Sequence, residues 1–351
     1  MVALPRLRLG SGLAIGLGAA LLIGGGLLAA DAFQAGNQPL PYAYATTKDE
    51  PPAAARLLAG TVQGAAARNI ELRTGEQGKL LASGQVLALP GGRDMLVGWR
   101  SEVGEPLLRS DVSVEEEEKL VAALRKHLPA GSTVYAMPAL SNRLAAMTDA
   151  AYPLAAADDR ATIRLPEPWS GARASIVEAE QRWRTAASAP SKAADKAYAE
   201  FLTALEVEDK YGVARLQVLA GGKESYLILH MRDAFDIGVA TPDKLSVGLR
   251  DFPAATDVHD VTKLVKAWVK EEGYAAYAVI QRDANAVRAY YLAEERDKSS
   301  LLGQLLPFNS ARLGLVPGAT PVFQNGGYWV YRIEAVEGTR EDAREGAQEG
   351  A

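Results

Sequence analysis

Among residue types that do chemistry, the chain offers three histidines and no cysteine. The tightest cluster is Asp257-Val258-His259-Asp260, two carboxylates around an imidazole. Imidazole nitrogen with carboxylate oxygen suits a hard or borderline divalent metal. The same carboxylates also stand where a helix start takes acidic caps, and capping is the expected role. His127 falls at the end of an expected helix, where a base complements the helix dipole. His230 lies in an apolar run and is expected to be a packed or edge residue. Without cysteine there is no disulfide, no thiolate metal site and no Cys-x-x-Cys-His haem attachment. No G-x-x-x-x-G-K-[ST] loop, G-x-S-x-G elbow or H-E-x-x-H helix occurs. Gly75-Glu76-Gln77-Gly78-Lys79 lacks the spacing and hydroxyl of a phosphate loop. These residues assign no catalytic, cofactor-binding or metal position.

The elements that would carry them can be read from pattern. Residues 113–128 predict a helix: Ser113 and Glu116 form a capping box, Glu115–Glu118 sit at the positive dipole end, and Arg125, Lys126 and His127 at the negative end. Leu120, Val121, Leu124 and Leu128 make its apolar stripe. Residues 54–68, rich in alanine, predict another helix, and 69–73, 80–89, 95–100 and 133–137 predict strands. Residues 175–187 and 192–209 predict a helical hairpin broken at Pro190. Residues 213–219 and 225–231 predict a hairpin around Gly221-Gly222. Strands follow at 244–250, 274–281 and 287–293, then a short helix at 301–306. A last hairpin at 321–333 turns at Asn325-Gly326. Tyr274, Tyr277, Tyr290, Tyr291, Tyr328, Trp329 and Tyr331 crowd this last third. They suit a docking surface, but strand tyrosines ordinarily pack a sheet, and packing is the expected reading.

Lys119-Leu120-Val121-Ala122-Ala123-Leu124 is echoed by Lys263-Leu264-Val265-Lys266-Ala267-Trp268. Each copy leads to a glycine, Gly131 or Gly273, and then to a strand. The expected fold class is therefore α/β (mixed α+β): two related strand–helix–strand modules, 54–170 and 211–336, with a helical-hairpin insert at 171–210. Residues 337–351, charged and small, predict a disordered tail.

In front of this body, the stretch from Leu9 to Ala30 holds no charge. About 20 apolar residues suffice for a helix to cross a bilayer, so residues 1–30 predict a single transmembrane anchor. Arg6 and Arg8 precede the run, which puts the N-terminus in the cytoplasm and the body in the periplasm. A cleavable signal peptide would have a shorter core and a small-x-small cleavage site; the long run favours a retained anchor in the inner membrane. Residues 31–53, with Pro39, Pro41, Pro51 and Pro52, predict a semi-rigid spacer.

The whole chain carries a formal net charge of −5. Arg6 and Arg8 are its only charges before Asp31, so the body is more acidic still. That excludes a nucleic-acid role, which needs dense basic patches. With 48% hydrophobic residues, the chain can core one large or two small domains.

Two blocks carry a likeness: MRDAFDIGVATPDKLSVGLRDFPAATDVHDVTKLVKAWVKEEGYAAYAVIQRD (231–283) and LLPFNSARLGLVPGATPVFQNGGYWVYRI (305–333). Together with the anchor they resemble the hydroxylamine oxidation protein HaoB family. That family accompanies the multihaem hydroxylamine oxidoreductase of ammonia-oxidising and some methane-oxidising bacteria. The resemblance implies an accessory that helps mature the partner, one of whose haems is cross-linked to a tyrosine, or helps dock it outside the cytoplasmic membrane. It implies no cofactor in this chain and assigns no site residue. The alternative is a ligand- or metal-binding ectodomain. Within it, helix–Gly–strand followed by Ser141-Asn142-Arg143-Leu144 loosely resembles glycosyltransferase ectodomains. A purely structural tether is a third reading.

Overall fold

Three antiparallel-dominated sheets, each with helices against it, account for the folded body. The computed structural model describes residues 39–336, apart from 76–77, 92, 185–189, 255–257, 284, 310 and 312. The expected anchor at 9–30 and the tail at 337–351 lie outside the described residues. Among the described residues no helix is long and apolar enough to cross a membrane. Mixed α/β architecture is what the sequence pattern predicts.

The first sheet is a meander of β1 (Ala43–Thr46), β2 (Ala66–Arg73), β3 (Leu80–Leu89) and β4 (Arg93–Ser101). Ala43–Thr46 falls within the stretch read as a spacer, yet it pairs with β2 from Ala43↔Arg73 to Thr46↔Ile70. One face of the sheet packs α1 (Ala53–Gly60) and α2 (Val114–His127) through Leu87, Met95 and Val97. The opposite face holds Val86, Leu96 and Trp99. Strict alternation would send Trp99 with Met95 and Val97. A bulge prevents this: the register slips between Ser83 and Gln85, and Gly98 takes φ 59°. The extra residue turns Trp99 to the Leu96 face.

The second sheet, in order β10-β11-β6-β5, joins β10 (Ala319–Asn325), β11 (Tyr328–Ile333), β6 (Ser225–His230) and β5 (Val134–Tyr135). Its centre is apolar on both faces, with Leu227, Ile228 and Leu229 fully buried, as expected for a strand covered on both sides. The helices α5 (Lys192–Glu206), α6 (Asp209–Leu219), α7 (Met231–Ala240) and α9 (Leu301–Leu305) pack over it. The third sheet sets β9 (Ala286–Leu292) between β7 (Val247–Pro253) and β8 (Ala276–Asp283). The helix α8 (Val258–Glu272) covers it with Val261, Val265 and Val269 against Phe252, Val287 and Ala289. The two strand–helix–strand stretches are placed differently. In the second, β7 and β8 share a sheet; in the first, β4 and β5 belong to different sheets.

Several local readings are corrected. The alanine-rich helix stops at Gly60, and Ala66 and Ala67 enter β2, because sheet pairing outweighs alanine's helix preference. The expected hairpin at 213–231 is a helix, α6, followed by a strand. Gly221 and Gly222, both at positive φ, close that helix instead of turning a hairpin. Gly222 N donates to Gln217 O and Gly221 N to Val218 O, the paired bonds of a Schellman ending. The strand expected at 244–250 forms at Val247–Pro253. The chain from 167 to 183 is a run of short helical turns with α4 (Arg173–Glu180) at its centre.

Candidate functional site

Where the first sheet meets α7, five arginines converge on one cleft. Its walls are Trp99 from β4, Arg109 and Ser110 from the following loop, and Asn142 and Arg143 from α3 (Pro138–Met147). They continue with Asp159 and Arg164, with Glu180, Trp183 and Arg184 at the end of α4, and with Arg232, Asp233 and Asp236 on α7. The cleft holds about 140 Å³.

Local folding explains how these side chains arrive. Leu108 is a leucine at φ 63°, a conformation that costs an L-residue about 1–2 kcal/mol. It is held by a two-way backbone pairing, Leu108 N to Arg164 O at 2.9 Å and Arg164 N to Leu108 O at 3.3 Å. That pairing fixes Arg109 and Arg164 side by side at the mouth of the first sheet. Strain of this kind persists where surrounding structure holds it, and it gathers at functional sites. On α7, His230 caps the helix: its Nδ1 accepts from Arg232 N, and Asp233 Oδ2 accepts from His230 N at 2.7 Å. The cap orients Arg232 and Asp233 into the same region.

Each arginine has an acidic neighbour. Arg109 pairs with Glu180, whose carboxylate also accepts from Tyr42 Oη at 2.5 Å and Tyr44 Oη at 2.9 Å. Arg143 pairs with Glu117 at 2.5 Å, Arg184 with Asp159 at 3.3 Å, and Arg164 with Asp236. Arg232 is the least compensated, at 3.9 Å from Asp233, with Tyr328 Oη accepting from its Nη2 at 3.2 Å. Two of these acids, Asp233 and Asp159, are weakened as anions. Burial pushes Asp233 up to about 6, against the pull of Arg232. Burial also raises Asp159, against Arg184. Burial lowers the Arg164 guanidinium to about 10, and repulsion from Arg232 and Arg288 adds to that. Five arginines and four carboxylates, Asp159, Glu180, Asp233 and Asp236, line the cleft. Four buried arginine nitrogens in it meet no acceptor among the described residues: Arg109 Nη1, Arg164 Nε and Nη1, and Arg232 Nη1. A buried unsatisfied donor costs about 1–3 kcal/mol, so the arrangement is suited to receive acceptor oxygens.

The residues singled out from sequence fall as follows. His230 is 2% exposed; burial pushes it down to about 4, with Arg232 adding to the shift and Glu116 opposing it. Ser113 caps α2 through Glu116 N as expected, but the Glu116 carboxylate does not complete a box. It crosses to Gly327 N at 3.0 Å and His230 Nε2 at 3.2 Å. Those bonds, working against burial, hold Glu116 below its ordinary value. Asp260 is exposed and pairs with Lys263 at 3.2 Å; Asp257 lies outside the described residues. Among the described residues no group of three or more His, Cys, Asp or Glu could hold a metal. Of the quoted tetrad, Ser141 and Asn142 tie to Ala136 O and Ala155 O, Leu144 is buried in the core, and Arg143 lines the cleft. Tyr290, Tyr328 and Tyr331 are buried, and Tyr274 stacks on Tyr291 at 4.0 Å, so packing accounts for them. Sequence reasoning missed the cleft. Its arginines come from positions 109, 143, 164, 184 and 232 with no spacing to link them. The one local signal was Arg232-Asp233, two charges directly after an apolar strand.

The family model described as HaoA-associated protein HaoB matches residues 10–333. No curated protein and no solved structure matches the chain. The matched span takes in all three sheets and every wall of the cleft. The chain therefore belongs to the HaoB family.

Proposed function

We propose that this protein is a membrane-tethered accessory of hydroxylamine oxidation, acting from the periplasmic side on the multihaem hydroxylamine oxidoreductase. It assists that enzyme's maturation, including its haem–tyrosine cross-link, or docks it at the membrane. The observation that carries this reading is the family match over residues 10–333, whose description names association with HaoA. The uncharged run from Leu9 to Ala30 behind Arg6 and Arg8 supports the tether and its sidedness. A chain with no cysteine has no means of attaching c-type haem, which suits a helper.

Docking is tested with the purified full-length chain immobilised and the purified oxidoreductase passed over it. Saturable binding at micromolar concentration or below is expected. Loss of all binding at low and moderate salt would remove the docking role. The ligand-binding ectodomain remains as a second reading, because the arginine cleft favours it.

A further inference from the structure

We infer that the arginine-lined cleft is a binding site for a small oxyanion, with Arg109, Arg164 and Arg232 as its donors. This inference does not depend on the assignment to hydroxylamine oxidation. Three observations meet at one place. Arg232 and Arg164 keep only 8% and 10% of their side chains exposed. Both carry N–H groups that no atom of the described residues accepts, as does Arg109. All three line the same cleft.

The chemistry follows from the donors. A guanidinium offers a planar fork that matches carboxylate or phosphate oxygens two at a time. Lysine, which binds as a point charge, is missing from the cleft walls. Protein acceptors occupy one side of each fork. Glu180 takes Arg109 Nη2, Tyr328 takes Arg232 Nη2, and Asp236 with Ser110 takes Arg164 Nη2. These contacts lock the side chains and leave the remaining edges for a ligand. Such preorganisation reduces what binding must cost in side-chain freedom.

Size sets the other limit. A water needs about 10–15 Å³ of such space, so the 140 Å³ cleft admits a ligand of roughly ten non-hydrogen atoms. Inorganic phosphate, sulfate or a short dicarboxylate fits; a nucleotide does not. The apolar wall of Leu96, Val97, Met137 and Leu140 favours an occupant with a short carbon chain beside its oxyanion.

The test uses the full-length chain in a buffer free of phosphate and carboxylates. Inorganic phosphate and succinate are titrated separately by calorimetry, with arginine Nε–H resonances followed in parallel. Saturable binding of either probe is expected, together with a shift of the Arg164 Nε–H signal. Preference for succinate identifies a carboxylate site; preference for phosphate identifies a tetrahedral oxyanion site. Arg232→Met should weaken binding by at least about tenfold. Arg232→Lys keeps the charge but loses the fork, and should weaken binding as well. The resonance shift in the unaltered protein guards against a variant that fails to fold. If neither probe moves the Arg164 signal, or if the Arg232 variants bind like the parent, the cleft holds water alone and the inference is overturned.

Discussion

Replacing Glu180 with alanine should cost the fold about 3 kcal/mol. This carboxylate, 2% exposed, is the shared acceptor of Tyr42, Tyr44 and Arg109. Its removal strands a guanidinium that already has Nη1 without an acceptor. Breaking a buried ion pair from one side costs about 3–5 kcal/mol. Arg109 keeps 26% of its side chain in water, which sets the figure at the low end. With a urea slope of about 3 kcal/mol per molar, the midpoint falls by about 1 M at unchanged slope. The double variant Glu180→Ala/Arg109→Met should recover part of the loss, because it removes the stranded charge. The coupling expected is about 1–3 kcal/mol. A midpoint shift below about 0.3 M, or two single effects that simply add, would refute the reasoning.

Two further outcomes follow from the contacts around His230. At Gly326, φ is 54° and an added Cβ would overlap the Glu116 carboxylate, whereas Gly91, at φ 85°, has open space around it. Gly91→Ala should lose about 1 kcal/mol from backbone strain alone, and Gly326→Ala clearly more; equal urea midpoints would show that the Glu116 contact contributes nothing. Asp233→Asn should expose the histidine's pH dependence. His230, ordinarily near 6.5, sits at about 4 when folded, so the unfolded chain takes the proton first and acid destabilises between those values. Asp233, ordinarily near 3.8, sits at about 6, so the folded chain takes the proton first and acid stabilises over that window. The two oppose in the parent protein. In the asparagine variant the stability at pH 4, relative to pH 7, should drop by about 2 kcal/mol more than in the parent; superimposable pH profiles would contradict the assignment.

What was legible in the sequence was local. The helix at Val114–His127 announces itself by its Ser113 cap, acidic first turn and basic last turn, and β3 and the Asn325-Gly326 hairpin by alternation and turn chemistry. Local signals also misled where tertiary context decides. Val213 and Val218 with Gly221-Gly222 read as strand and turn, but Val213 and Leu216 are one buried helix face and the glycines its ending. The Glu116 carboxylate had a local role on offer at Ser113 and took a partner more than two hundred residues away. The cleft was illegible for the same reason. Arg109, Arg164 and Arg232 become neighbours only through the Leu108–Arg164 pairing and the His230 cap, and neither leaves a periodic trace.

The account rests on this chain assisting the hydroxylamine oxidoreductase, and one comparison addresses that directly. The oxidoreductase is produced with and without the full-length chain, and the fraction of enzyme carrying the haem–tyrosine cross-link is measured by mass spectrometry of the haem peptides, alongside hydroxylamine oxidation per enzyme. The account predicts a lower cross-linked fraction and lower activity when the chain is missing, restored when it is supplied. Fully cross-linked, equally active enzyme in both preparations would contradict the maturation role and leave docking alone.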